Sequence, residues 1–197
     1  MLLTVPRRVS QRRALAWASE HRQWIERQLA EIPPPRVFAP GEIVPVYGEP
    51  HVIDWAAARP RTPKLEAGRL VCGGPLDGLD RRILRWLKAE ALSLLTRETR
   101  EFAGKVDASL AGVGIGDPVS RWGSCSASGA IRYSWRLILA PEFVRRATVA
   151  HEVAHLVHLN HGPDFHVLVA EILGADPRAA RAWLKNAGAA LHRIGPR

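Results

Sequence analysis

Cysteine is scarce, with Cys72 and Cys125 the only two in 197 residues. That count excludes a secreted scaffold held together by disulfides. Lysine is almost as rare: Lys64, Lys88, Lys105 and Lys185 are the only four among 28 basic residues. No apolar run approaches the roughly 20 residues of a membrane-spanning helix. The opening Met1-Leu2-Leu3-Thr4-Val5-Pro6-Arg7-Arg8 lacks the basic-then-apolar order of a secretory leader. These absences predict a cytoplasmic protein that uses no membrane. Internal repeats and low-complexity linkers are also missing. What is present is ordinary for a globular chain, 47% hydrophobic and 24% charged residues, in a length that one well-filled domain can use. A net charge of +9 steers polyanions such as nucleic acid. The dominance of arginine and alanine, however, reads as a GC-rich coding bias, which weakens charge as a marker of function.

Along the chain, residues 10–31 read as a helix capped by Ser10, with Trp17 and Trp24 on one face and Pro33-Pro34-Pro35 as its stop. Short strands are expected at 42–47, 51–55 and 69–72, separated by glycine and proline. Ile83, Leu84, Leu87, Ala91, Leu94 and Leu95 hold helical spacing within a long helix, 80–103. A strand-rich stretch, 113–139, contains a hairpin about Ser126-Ala127-Ser128-Gly129. Helices then follow at 141–159, 163–173 and from Asp176-Pro177 onward, with Trp183 and Leu184 facing inward. Runs of strand and helix without strict alternation predict an α+β fold. One domain, 1–197, is expected, with a helix- and strand-rich part at 1–110 and a hairpin plus histidine-bearing helices at 111–197.

Five of the eight histidines lie between His151 and His166, and the first two stand in His151-Glu152-Val153-Ala154-His155. On a helix, residues four apart project from one face about 6 Å from each other, which lets two imidazoles bind one Zn²⁺. The glutamate after the first histidine lies about 100° round the helix, where its carboxylate reaches a water on the metal rather than the metal itself. Glu152 is therefore the candidate general base, and His151 and His155 are candidate ligands. His158 shares the face of His151 but lies about 10 Å farther along a regular helix, too far to complete the site. His161 can complete it if the chain turns sharply first, through a left-handed Asn160 and a new helix at Gly162-Pro163. Glu171, on the following helix, is the competing third ligand; the local turn chemistry favours His161.

Arg121-Trp122-Gly123-Ser124-Cys125-Ser126, Ser134-Trp135-Arg136-Leu137-Ile138-Leu139-Ala140-Pro141, the His151–His155 motif and Asn160-His161, in that order, resemble the YgjP-like metal-dependent hydrolases. These are zinc metallopeptidases akin to the SprT-like and minigluzincin proteins. The likeness is densest from Arg121 to Phe165, with weaker echoes at Val5-Pro6-Arg7-Arg8, Trp24-Ile25 and Trp183-Leu184. Gly162-Pro163-Asp164-Phe165-His166 stands nearer the SprT-like pattern. Such relatives also carry more strand sequence before Leu3-Thr4-Val5. The resemblance implies a zincin-like domain, a small mixed sheet packed on the helix of the motif, with further helices at both ends. It also implies zinc held by His151, His155 and His161, and Glu152 as base. Ile131–Ile138 would be the edge strand on which an extended peptide or protein substrate adds.

The remaining conspicuous residues read as structural. Cys125 is a small buried or turn residue, and Trp17, Trp24, Trp86, Trp135 and Trp183 are core packing rather than stacking platforms for bases. The pairs Arg7-Arg8, Arg12-Arg13, Arg81-Arg82 and Arg145-Arg146 are solvated surface. Tyr133 and Arg136 are candidates for steadying an oxyanion, with nothing in the sequence to place them over a metal. The reading as a whole is a zinc-dependent hydrolase, within that class a metallopeptidase. The alternative is a basic, nucleic-acid-associated binding protein whose zinc site is structural or vestigial.

Overall fold

Ser10 opens the first helix: its side chain accepts a hydrogen bond from the Arg13 N–H at 3.3 Å, satisfying one of the amides a helix start leaves unpaired. The computed structural model describes residues 5–6, 9–30 and 36–196, within two units, Met1–Pro34 and Pro35–Arg197. Leu3-Thr4, Arg7-Arg8 and the expected stop at Pro33–Pro35 lie outside the described residues.

In the first unit, the single expected helix is two, α1 Gln11–Glu20 and α2 Arg22–Ala30. His21 makes the break. Its Nδ1 donates to the Trp17 carbonyl at 2.9 Å and its ring stacks on Trp17 at 4.4 Å, so it caps α1. Trp17 and Trp24 are 48% and 51% exposed, which corrects the core role expected of them. Seven-residue spacing puts both on one face but does not say what covers that face.

In the second unit, β1 Ile43–Val46, β2 Glu49–Trp55, β3 Lys64–Glu66 and β4 Arg69–Cys72 form a mixed sheet of order β1-β2-β4-β3, with β2 and β4 parallel. The three expected strands are there; β3 had no apolar alternation to announce it. Helix α3, Leu79–Lys105, runs two residues past the expected stop and buries the stripe Ile83, Leu87, Ala91, Leu95 and Phe102. Strands β5 Gly112–Gly116, β6 Gly123–Cys125 and β7 Ala130–Ser134 make a second mixed sheet, order β5-β7-β6. A 3₁₀ helix, Trp135–Leu139, leads into α4 Glu142–Ala154, α5 Pro163–Leu173 and α6 Arg178–Leu191. The fold is α+β, as expected. No helix among the described residues is long and apolar enough to cross a membrane.

Two details of the expectation are overturned. The 131–138 segment is no edge strand: β7 is the middle of its sheet, paired on both sides, and residues 135–139 are a buried 3₁₀ helix. The edge beside α4 is β6. Alternating apolar residues show that a strand is half-buried, not which neighbours it pairs with. Helix α4 also stops at Ala154 rather than 159, and the chain turns at residues 155–157.

Two buried arginines fix α4 and its surroundings. Arg145 on α4 donates to both carboxylate oxygens of Glu98 on α3, at 3.0–3.1 Å, and both side chains are buried. This pair overturns the surface role expected of Arg145; its neighbour Arg146 pairs with Glu101 at 2.6 Å. The clamp orients α4, while Val144, Val149 and Val153 sink into the core, each stabilising the fold by about 1.5–3 kcal/mol. Arg136 has no exposed surface. It pairs with Asp117 at 2.6 and 3.0 Å and donates to the Leu191 and Ile194 carbonyls at 2.8 and 2.6 Å. Arg136 thus ties the end of α6 to the second sheet.

Candidate metal centre

Three imidazoles converge where α4 gives out. His151 sits in its last turn, His155 is its C-cap, and His161 stands two residues before α5. One ring nitrogen from each lies within 4.8 Å of the other two; His151 Nε2 and His161 Nε2 are 3.2 Å apart. The early end of α4 is what makes this possible. Leu156, Val157 and His158 N–H groups bond back to Val153 and Ala154, closing tight turns that swing the chain towards the helix it has left. Asn160 does not make the reversal, because Tyr47, Ala67 and Asp107 are the only described non-glycine residues with positive φ. Glu171 on α5 is exposed and outside the cluster, and the His158 ring is not part of it either.

The turn also orients a ligand. His155 Nδ1 lies 3.0 Å from the His158 carbonyl oxygen. A carbonyl only accepts, so Nδ1 carries the proton and Nε2 keeps its lone pair free. Beneath the cluster, fully buried Phe165 contacts all three rings, with centroids 4.9 Å from His151, 4.6 Å from His155 and 4.7 Å from His161. Its place in the first turn of α5, four residues after His161, is the one sequence signal for this platform.

Burial and the neighbouring His155 and His161 hold the His151 ring down to about 4, and burial, joined by His161, lowers His155 as well. Both are therefore neutral near pH 7, with nitrogen lone pairs for a cation rather than protons. Glu152 packs against β6 and is 5% exposed. Burial raises its carboxyl to about 7, against the pull of the Arg121 charge. Gly123 on β6 lies against it: a Cβ there would stand 2.5 Å from Glu152 Oε1 and 2.7 Å from its carboxyl carbon. Only glycine lets the strand edge and this carboxylate share the space. Cys125, on the same strand, is half-buried, and burial plus the nearby Glu152 push its thiol up, as suits a packing residue.

The oxyanion candidates stand elsewhere. Tyr133 is buried with its hydroxyl 3.0 Å from Thr99 Oγ1, and Arg136 is consumed by Asp117 and the end of α6. Trp122, by contrast, forms part of the site's wall. It stacks on His192 at 4.8 Å and packs against Gly188 of α6, where a Cβ would meet the indole at 3.0 Å. Arg121, Gly123 and Arg181 all border the site; the first two stand in the Arg121–Ser126 motif, but their proximity to the histidines is made by tertiary packing, and Arg181 has no sequence signal.

No curated protein and no solved structure matches the chain. A family model does: the YgjP-like metallopeptidase domain matches residues 1–187. The chain belongs to the YgjP-like metallopeptidase family and is, at the level of that family, a metal-dependent hydrolase.

Proposed function

We propose that the protein is a zinc-dependent peptidase in which His151, His155 and His161 hold the metal and Glu152 is the general base. The observation that carries this reading is the meeting of three imidazole nitrogens within 4.8 Å beside a buried carboxylate that is not one of them. The donor set fits: three imidazoles, one with its tautomer fixed, are what a catalytic zinc takes while keeping a fourth position open. When bound, zinc supplies a Lewis acid that polarises the scissile carbonyl and lowers the pKa of a water to about 7. Glu152 takes a proton from the attacking water as its oxygen bonds to the carbonyl carbon. As the C–N bond breaks, the same carboxyl gives that proton to the leaving amine. The peptide lies along the free edge of β6, donating and accepting main-chain hydrogen bonds there.

The test is metal analysis of purified protein together with variants. Roughly one zinc per chain is expected, and His151→Ala, His155→Ala and His161→Ala should each weaken zinc binding by more than about 100-fold, with circular dichroism unchanged. Glu171→Ala should bind zinc like the parent. Zinc kept by His161→Ala and lost by Glu171→Ala would overturn the ligand assignment.

Gly123→Ala separates positioning from binding. The added methyl must displace the Glu152 carboxyl, so hydrolysis should fall by about 10²-fold, while zinc content stays at the parent level. Activity equal to the parent's would show that the close approach of β6 is irrelevant to the base.

A further inference from the structure

A cavity of about 360 Å³ opens beside His151 and Glu152, in the range of small-molecule and side-chain pockets. Its wall is largely apolar, built from Ala147 of α4, Val169 of α5, Ala180 and Leu184 of α6, and the Trp122 indole. Two guanidiniums, Arg121 and Arg181, interrupt this wall, and both residues are exposed. Neither forms an ion pair with a carboxylate among the described residues; Arg181 has a 3.4 Å contact with His166 Nδ1. Two exposed cations bordering an apolar hollow, with no carboxylate partner among the described residues, offer a place for an acidic group.

The orientation of substrate follows from Glu152. It protonates the leaving amine, so the residue bearing that amine lies on the Glu152 side, and the cavity there is open to its side chain. Guanidinium groups present a planar fork that matches a carboxylate with two parallel hydrogen bonds.

We propose that this cavity selects the leaving side of the substrate: an apolar side chain enters it, and Arg121 and Arg181 bind a carboxylate on the same residue or the next. Two sources provide that group, the α-carboxylate of a chain end or an Asp or Glu side chain just after the apolar residue. The proposal rests on the hydrolytic reading of the histidine–glutamate centre.

The test uses zinc-loaded Glu152→Gln protein, in which binding is read without turnover. Calorimetric titration compares N-acetylated Ala-Ala-Leu as free acid, the same peptide as C-terminal amide, and amidated Ala-Ala-Leu-Asp. At least one carboxylate-bearing peptide should bind about tenfold or more tightly than the amide. Preference for the free acid alone assigns the site to chain ends; preference for the Asp peptide assigns it to acidic side chains. Adding Arg121→Gln and Arg181→Gln should erase the advantage. Equal binding of all three peptides overturns the proposal, as does an advantage undiminished in the arginine variants, which would place the carboxylate on the metal instead. Parallel hydrolysis of the peptides by the parent enzyme separates the two readings. Cleavage indifferent to the carboxylate overturns the selection and leaves the peptidase reading intact. A binding preference carried by the arginines, with no hydrolysis of any peptide, supports the selection and counts against the peptidase reading.

Discussion

Glu152→Gln is expected to keep its zinc and lose hydrolysis by about 10²–10⁴-fold, the usual contribution of a general base. Glutamine has nearly the volume and shape of glutamate, so it fills the space against Gly123 without moving β6. It cannot accept the water's proton. It also removes a carboxyl that burial holds up near 7, so the fold has little charge pairing to lose, and the melting temperature should stay close to the parent's. Cleavage of unstructured protein or a peptide library, measured with zinc content on the same preparations, checks the expectation. Undiminished cleavage would sink the role given to Glu152. Zinc lost from the variant would make the residue part of the metal centre's structure.

Arg136→Met should be the most destabilising single change outside the centre, by about 3–5 kcal/mol. The fully buried guanidinium serves Asp117 and two carbonyls at the end of α6. Methionine follows much of the side chain's path but takes the guanidinium from the Asp117 carboxylate, leaves the Ile194 carbonyl without its donor, and leaves the Leu191 carbonyl only the long 3.3 Å bond from the Ile194 N–H. Denaturant unfolding gives the size of the loss. Hydrogen exchange should find it concentrated after Leu191, where faster exchange at Arg193 and Ile194 would accompany a lower midpoint. A variant as stable as the parent would mean that water replaces the arginine at little cost.

The two kinds of information in the chain differ in reach. His151, Glu152 and His155 were legible because their relation is set by one helix, and 3.6 residues per turn determines who shares a face. His161 was legible only as one of two choices with Glu171, since it depends on where α4 stops. The helix stops five residues short of the expected end, in turns that no glycine, proline or left-handed asparagine marks. The apolar stripe of α3 announced itself through Ile83, Leu87 and Ala91, yet Glu98 in the same helix is buried too, and only its partner Arg145 explains how. Periodicity registers burial by apolarity and is blind to a charge neutralised from another element. The order β5-β7-β6 was hidden for a related reason: Ile131 and Tyr133 alternate as any half-buried strand would. Which strand is the edge depends on pairing across the sheet. Arg121 and Gly123 stood out only as part of a motif with no stated role, and Arg181 not at all, because the segment at 121–125 and α6 reach the centre from separate parts of the chain.

The brevity of β6 has a consequence for which proteins could be cut. Gly123, Ser124 and Cys125 are its whole length, so a polypeptide laid on that edge gains only a few main-chain bonds, each worth about 0.5–1.5 kcal/mol net. That is too little to pull a strand or helix out of a folded target, whose regional opening costs anything up to its full stability. Cleavage would then follow the fraction of time a target spends locally open. Frayed ends, damaged domains and nascent or misassembled chains would be consumed, while well-folded neighbours of the same sequence would be spared without any dedicated recognition.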